Sequence, residues 1–425
     1  MKDRNQMLNR SGTDRRGFLA AMTASGAAVS GLDIRAALGS QAALLSNKPR
    51  ACILLWMQGG PSQFETLSPK PGQSSGGETQ AIASSVAGIQ VAENMPRVAA
   101  AMKDICLIRS MNSKEGSHPR ASYLVHTGYV PTATIKYPTI GSQIAFQLGD
   151  KESQLPSFVR VGQIRNGAGA GMLGVDYDPF LMADARRTPD NTTLTTSDDR
   201  YRRRLSLLGQ LHDVHAEGEQ QVSNHRKVYG KASKMVLSPQ MKAFDLSEET
   251  ASIRQSYGES SFASGCLLAR RLVETGVSCV EVAVGNWDTH QDNFSRSSEL
   301  CQQMDQPYAF LLQDLKQRGL LESTLVVWMG EFGRTPRINS RGGRDHYPRA
   351  YNVALAGAGV HGGQVIGTTD ASGSTVTDQP VNVPDLLRTI FQALRVDADL
   401  EHMSSVGRPV PVVEGGNLVE RVFTG

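Results

Sequence analysis

Only five of the 425 residues are cysteine, and none of Cys52, Cys106, Cys266, Cys279 and Cys301 belongs to a Cys-x-x-Cys pair. That spacing excludes a zinc knuckle or a dithiol redox motif. An odd number of widely separated thiols in apolar surroundings reads as buried side chains and not as a disulfide framework. No apolar run reaches the roughly 20 residues that a membrane-spanning helix needs. Charge of one sign is also lacking: 44 basic and 41 acidic side chains leave a net charge of +3, with the two signs interspersed. Without a basic tract interleaved with aromatics, a nucleic-acid partner is not expected.

What is present suits a large α/β enzyme. Hydrophobic residues make up 40% of the chain, enough for a sizeable core, and 42 glycines suit many loops. Ala51 to Met57 is a continuous apolar run ending at Gly59-Gly60-Pro61, as expected of a strand covered on both faces of a parallel sheet. Ile105 to Ser110, Phe158 to Val161, Cys279 to Val284, Thr324 to Met329 and Tyr351 to Ala356 read as further strands. Between the runs at 279 and 324, Leu300, Met304, Phe310, Leu311 and Leu315 predict a helix near Glu299 to Gln317, hence a right-handed parallel crossover. A late helix opens at Val383-Pro384, with proline in the first turn.

Two regions differ in texture. Asp14-Arg15-Arg16-Gly17-Phe18-Leu19, followed by small apolar residues to Leu32, resembles a twin-arginine export signal, so residues 1–45 are expected to be signal and linker and 46–425 a single domain. The polar stretch 184–248 carries no strand signal and predicts a helical cap or insertion, with a long helix running to Met235. Gly169-Ala170-Gly171-Met172-Leu173-Gly174 satisfies the dinucleotide-binding pattern but opens no helix, so it reads as a loop.

The chemistry lies just past the strand ends. Trp287-Asp288-Thr289-His290 follows one run, Gly330-Glu331 follows another, and Gly343-Arg344-Asp345-His346 comes shortly after. Carboxylates and imidazoles bind divalent ions, and open α/β sheets place ligands beyond the carboxyl ends of their strands. Asp288, His290, Glu331, Asp345 and His346 are therefore candidate metal ligands, with Glu65 after the first strand as another. Arg334 and Arg344 are candidates for gripping an anionic substrate through their planar forks. Zinc, manganese and calcium all suit such a mixed ligand set.

Gly59-Gly60-Pro61-Ser62, Arg109-Ser110-Met111, His118-Pro119-Arg120-Ala121, His126-Thr127-Gly128-Tyr129, Trp287-Asp288-Thr289-His290, Gly330-Glu331-Phe332-Gly333-Arg334-Thr335-Pro336 and Gly343-Arg344-Asp345-His346 together resemble the bacterial family catalogued as domain of unknown function 1501. The resemblance runs from about Ala51 to Arg408. It implies an alkaline-phosphatase-like fold, a central sheet flanked by helices, with a one- or two-metal centre. Members often place aspartate where this chain has Glu65 and Ser68. The segment from Gly116 to Ser122 loosely resembles the sulfatase segment whose cysteine matures to formylglycine, but no cysteine stands there. Ser117 is then the candidate nucleophile, His118 a metal ligand or general acid, and Arg120 a substrate-binding residue.

The expectation is an exported, metal-dependent hydrolase acting on a small anionic ester or a sulfated or phosphorylated polymer. The alternative is a periplasmic or surface-associated binding protein that keeps the fold without catalysis. A metal-dependent isomerase or mutase fits export less well.

Overall fold

Seven residues, Ala51–Met57, are buried throughout and form β1, the strand around which the molecule is built. Their side chains alternate between two cores. Ile53, Leu55 and Met57 face one apolar cluster, while Cys52, Leu54 and Trp56 face the other. This is the period-2 signature of a strand covered on both sides, and it explains why the run carries no polar residue.

The computed structural model describes residues 50–163, 168–215 and 220–424. The twin-arginine segment lies outside them. Seven further strands complete the sheet: β2 (Cys106–Met111), β3 (Phe158–Val161), β4 (Phe180–Met182), β5 (Cys279–Val284), β6 (Thr324–Met329), β7 (Tyr351–Ala356) and β8 (Gln364–Ile366). Their order is β8-β2-β7-β6-β1-β5-β3-β4. β1 pairs in parallel with β5 and β6, Cys52 opposite Cys279 and Leu325. β7 alone runs antiparallel, against β2 and β6. The mixed α/β sheet flanked by helices is the expected fold class.

The main helices are α1 (His118–Thr127), α2 (Ile140–Leu148), α3 (Asp198–His215), α4 (Gln220–Val236), α5 (Ser261–Glu274), α6 (Asn293–Gln317) and α7 (Val383–Leu394). Helices α5 and α6 pack on the Ile53 side through Leu267, Leu268, Leu300 and Leu311. On the Trp56 side, α1, α2 and α7 supply Val125, Ile144 and Leu386. The last helix starts in a capping box between Asn382 and Asp385, with proline in its first turn as expected.

Helix α6 begins six residues earlier than its apolar stripe predicts. Asn293 secures the extra turn, donating its backbone N–H to Gly342 O (3.0 Å) and accepting from Thr289 Oγ1 (2.6 Å). Phe310 stands at the rim of the core, edge-on to Tyr257. Between 184 and 248 lie α3 and α4, on either side of residues 216–219, and no strand among the described residues. The glycine-rich motif opens only one turn of 3-10 helix at Gly171–Leu173, so no helix terminus awaits a phosphate there.

Candidate metal centre

Three parallel strands, β1, β5 and β6, end side by side, and each is followed by a loop that turns over the sheet's carboxyl edge. The loops must pass very close. Gly59, at φ +114°, lies where a Cβ would come within 2.6 Å of Asp288 N, so only glycine lets the β1 loop run against the β5 loop. The Gly59 N–H donates to both oxygens of Glu331, at 3.0 and 3.2 Å, fixing the β6 loop to the β1 loop. Gly343 plays the same part further on, since a Cβ there would meet His290 C at 2.0 Å. A two-residue ladder then sets His346 opposite Arg334.

His118, Asp288 and His346 are brought together by this framework, each offering a donor atom within 4.8 Å of the others. His290 Nε2 joins them, 3.1 Å from Asp288 Oδ1 and 3.0 Å from His346 Nε2. The three imidazoles share one arrangement. Nδ1 of His118 faces Glu331 at 2.6 Å, Nδ1 of His290 faces Asp345 at 2.8 Å, and Nδ1 of His346 donates to Gly116 O at 2.8 Å. Each Nε2 turns inward. An imidazole held at one nitrogen by a carboxylate or carbonyl, with the other presented to a common point, is the usual dress of a metal-ligating histidine.

The fit to a cation is further supported by what one inward atom lacks. His118 Nε2 is buried and makes no hydrogen bond, although Asp288 Oδ2 is 3.3 Å away. Partial burial pulls the His118 pKa down, but the close carboxylates Asp288 and Glu331 more than offset this and raise it to about 9. Burial pushes the Asp288 carboxyl up, yet His118, His346 and Arg334 hold it far below the usual carboxylate range. Positive charge of some kind, proton or metal, is what this cluster demands. Phe332 packs against His118 and His346, ring centroids 4.9 and 4.7 Å away, and limits their rotation.

Other predicted residues are placed elsewhere. Glu65 and Arg344 are both fully buried and pair with each other at 2.8 Å. Arg344 also donates to Ser75 O, Thr335 O and Pro336 O, so the structure does not bring this pair into the cluster. Arg334 does reach it, 2.7 Å from Asp288 Oδ1, but its remaining donors go to the carbonyls of Gly60, Gly59 and Arg344. Arg120 is exposed and forked onto Glu115. Ser117 is exposed at the start of α1, between Gly116, which His346 touches, and His118 itself. Glu331 and Asp345 stand behind histidines. Sequence reasoning missed the Gly116 carbonyl, a backbone group with no side-chain signature, and a cleft of about 580 Å³ beside the cluster, bordered by His118, Asp288 and Glu331 and by the ends of β3 and β5.

The model of the family described as "Protein of unknown function (DUF1501)" matches residues 49–423. Comparison with curated proteins returned no match. Among solved structures, a sulfatase from a Pseudoalteromonas species is similar at 11% identity and a TM-score of 0.43, over 88% of this chain and 73% of its own. An alkaline phosphatase superfamily protein from Vibrio parahaemolyticus is similar at 11% and 0.39, over 82% and 67%. The phosphonate monoester hydrolase of Agrobacterium radiobacter is similar at 12% and 0.34, over 88% and 78%. All three likenesses are too distant to assign a substrate or a residue's role.

Proposed function

Since the chain belongs to that family of unknown function, its activity has to be argued from its own residues, and we propose that it is a metal-dependent hydrolase of phosphate or sulfate esters. One observation carries the reading: His118, Asp288 and His346 offer donor atoms within 4.8 Å of one another beyond the carboxyl ends of parallel strands. His290 is the fourth candidate ligand. A divalent ion held by these residues would supply Lewis acidity and neutralise charge developing on the ester.

The chain's own groups do the rest. Glu331 holds His118 and Asp345 holds His290 in orientation through their Nδ1 atoms. Arg334, anchored to three carbonyls, fixes one oxygen of Asp288. Ser117 is the nucleophile in this reading, because the Gly116 carbonyl before it is bonded to His346 and the His118 side chain after it belongs to the cluster. Phe332, itself buried, packs against the rings of His118 and His346 and backs them on one side. The reading includes export by the twin-arginine route, on Asp14 to Leu19, and zinc, manganese or calcium as the ion.

The test joins metal content to turnover. Elemental mass spectrometry of the purified protein, beside Asp288→Ala and His346→Ala, should find stoichiometric metal that both variants lose. Turnover of 4-nitrophenyl phosphate or sulfate should fall with it, and Ser117→Ala should abolish it with the metal retained. Turnover that survives complete metal removal sinks the reading. Metal without turnover of any ester favours a binding protein instead.

A further inference from the structure

The cleft of about 580 Å³ beside the cluster has a charge imbalance that the candidate centre does not explain. Asp184 and Arg186 line it but are forked onto each other at 2.7 to 3.1 Å. Glu331 is held by His118, and Asp288 by Arg334 and the histidines. Arg296 remains. It stands in the first turn of α6, half-buried, and among the described residues it has no carboxylate partner. Its guanidinium is steadied from behind by two weak bonds, Nη1 to Asp288 O at 3.3 Å and Nη2 to Asn286 O at 3.2 Å. Asn286 takes φ +74° to turn that carbonyl, a conformation asparagine tolerates better than most residues. A guanidinium oriented by carbonyls, unneutralised, and set on the wall of a cleft is built to take an anion.

The rest of the wall points to the body that carries the anion. Amide side chains border the cleft at Gln58, Gln163, Asn286 and Gln303, and amides can donate to and accept from hydroxyl groups. The arginines expected from sequence to bind substrate are committed elsewhere, Arg120 to Glu115, Arg344 to Glu65 and Arg334 to Asp288. We propose that the cleft is the subsite for the body of the substrate, that this body is polyhydroxylated and carries a second anionic group besides the ester, and that Arg296 selects for that group. This deepens the ester-hydrolase reading and rests on it for the ester held at the cluster.

Binding, not turnover, tests it. Titration calorimetry would compare 6-phospho-D-gluconate, which carries hydroxyls, a phosphate ester and a carboxylate, with D-glucose 6-phosphate, which lacks the carboxylate. The wild type should bind the first about tenfold more tightly, the worth of one charge-assisted hydrogen bond. Arg296→Gln should bring the two to parity with glucose 6-phosphate affinity unchanged. Because that substitution also touches two loop carbonyls, Gln303→Glu provides a second variant; it places a negative charge on the cleft wall away from them and should weaken 6-phosphogluconate more than glucose 6-phosphate. Equal affinities in the wild type, a preference that survives Arg296→Gln, or no binding of either sugar overturns the proposal. Failure of the hydrolase reading registers separately: a preference kept by protein that neither holds metal nor turns over esters retains the subsite and rejects the activity.

Discussion

The chain builds carboxylate and imidazole clusters in two places, and they end in opposite states. On β5, Glu281 accepts from His126 Nε2 at 2.9 Å and from Arg160 Nε at 2.6 Å, while His126 Nδ1 is bonded to Ser122 O. Every one of these groups is buried, Glu281 to 1% exposure, and Trp56 stands edge-on to the imidazole. Beyond the strand ends, Asp288 is 43% exposed and the Nε2 atoms of three histidines crowd around it. Residue types are similar, but in the first cluster both nitrogens of a single imidazole are bonded to separate buried partners, whereas in the second the Nε2 atoms of three imidazoles converge on one half-exposed carboxylate and His118 Nε2 makes no hydrogen bond. The carboxylate and imidazole of the closed network have spent their bonding capacity on the fold. An open network has capacity left for a ligand.

The contrast breaks most visibly at its centre. Asp288→Asn should cut kcat/KM by about a thousandfold, since a lost ion removes several kcal/mol of transition-state stabilisation, and should empty the site of metal by elemental mass spectrometry. Unchanged metal content would mean that Asp288 is only a partner of Arg334. Glu281→Gln should do the reverse. Removing the charge shared by Arg160 and His126 leaves them buried without their carboxylate and should cost about 3–5 kcal/mol in urea unfolding, with the metal content of the folded protein intact.

Acid sharpens the same comparison. Burial pushes the Glu281 carboxyl up, but Arg160 and His126 outweigh it and lower its pKa from 4.5 to about 2. A depressed folded value means stabilisation that is fully present above about pH 4.5 and is lost as the pH falls toward 2. Unfolding free energies of the wild type and Glu281→Gln should therefore converge over that window. Parallel curves would show that the charge of Glu281 does not hold the fold. A smaller effect is expected behind the open cluster. Glu331→Gln and Asp345→Asn leave the inward Nε2 atoms in place but weaken what orients them, so metal affinity, titrated against a competing chelator, should fall about 10- to 100-fold. Loss as complete as in Asp288→Asn would make either carboxylate a direct ligand.

Strands β1, β5, β6 and β7 were legible because each is a compact, mainly apolar run, bounded by glycine or a polar loop. The residues that meet at the cluster were legible for a related reason, since polar side chains immediately after such a run have nowhere to go but the sheet's carboxyl edge. Edge strands β4 and β8 were not, three residues being too few to show alternation. Helix α1 was hidden because His118 to Tyr123 offers no apolar stripe, and it forms around a left-handed Gly128 at its far end. Pairing was the least readable. Arg344 and Arg334 lie in one loop system with similar neighbours, yet one closes onto Glu65 in the interior and the other onto Asp288 at the cluster. The difference lies in distant parts of the chain: Arg344 lies over Phe64 and Phe294, while Arg334 lies over its near neighbour Phe332.

Arg120 gives the smallest expected effect and the finest cut between closed and open. Its fork onto Glu115 is bidentate, 2.9 and 2.7 Å, whereas Arg160 gives Glu281 a single bond from Nε at 2.6 Å. The surroundings differ, because Arg120 lies in solvent, where water and salt screen the pair and the long side chain loses rotamer freedom by holding it. Arg120→Ala should leave the unfolding midpoint unchanged. It should also leave KM unchanged, because an arginine already saturated by a carboxylate has little left for a substrate anion. A KM that rises by more than about threefold at constant kcat would show that Arg120 exchanges Glu115 for substrate, and that a closed pair at the surface can open when an anion arrives.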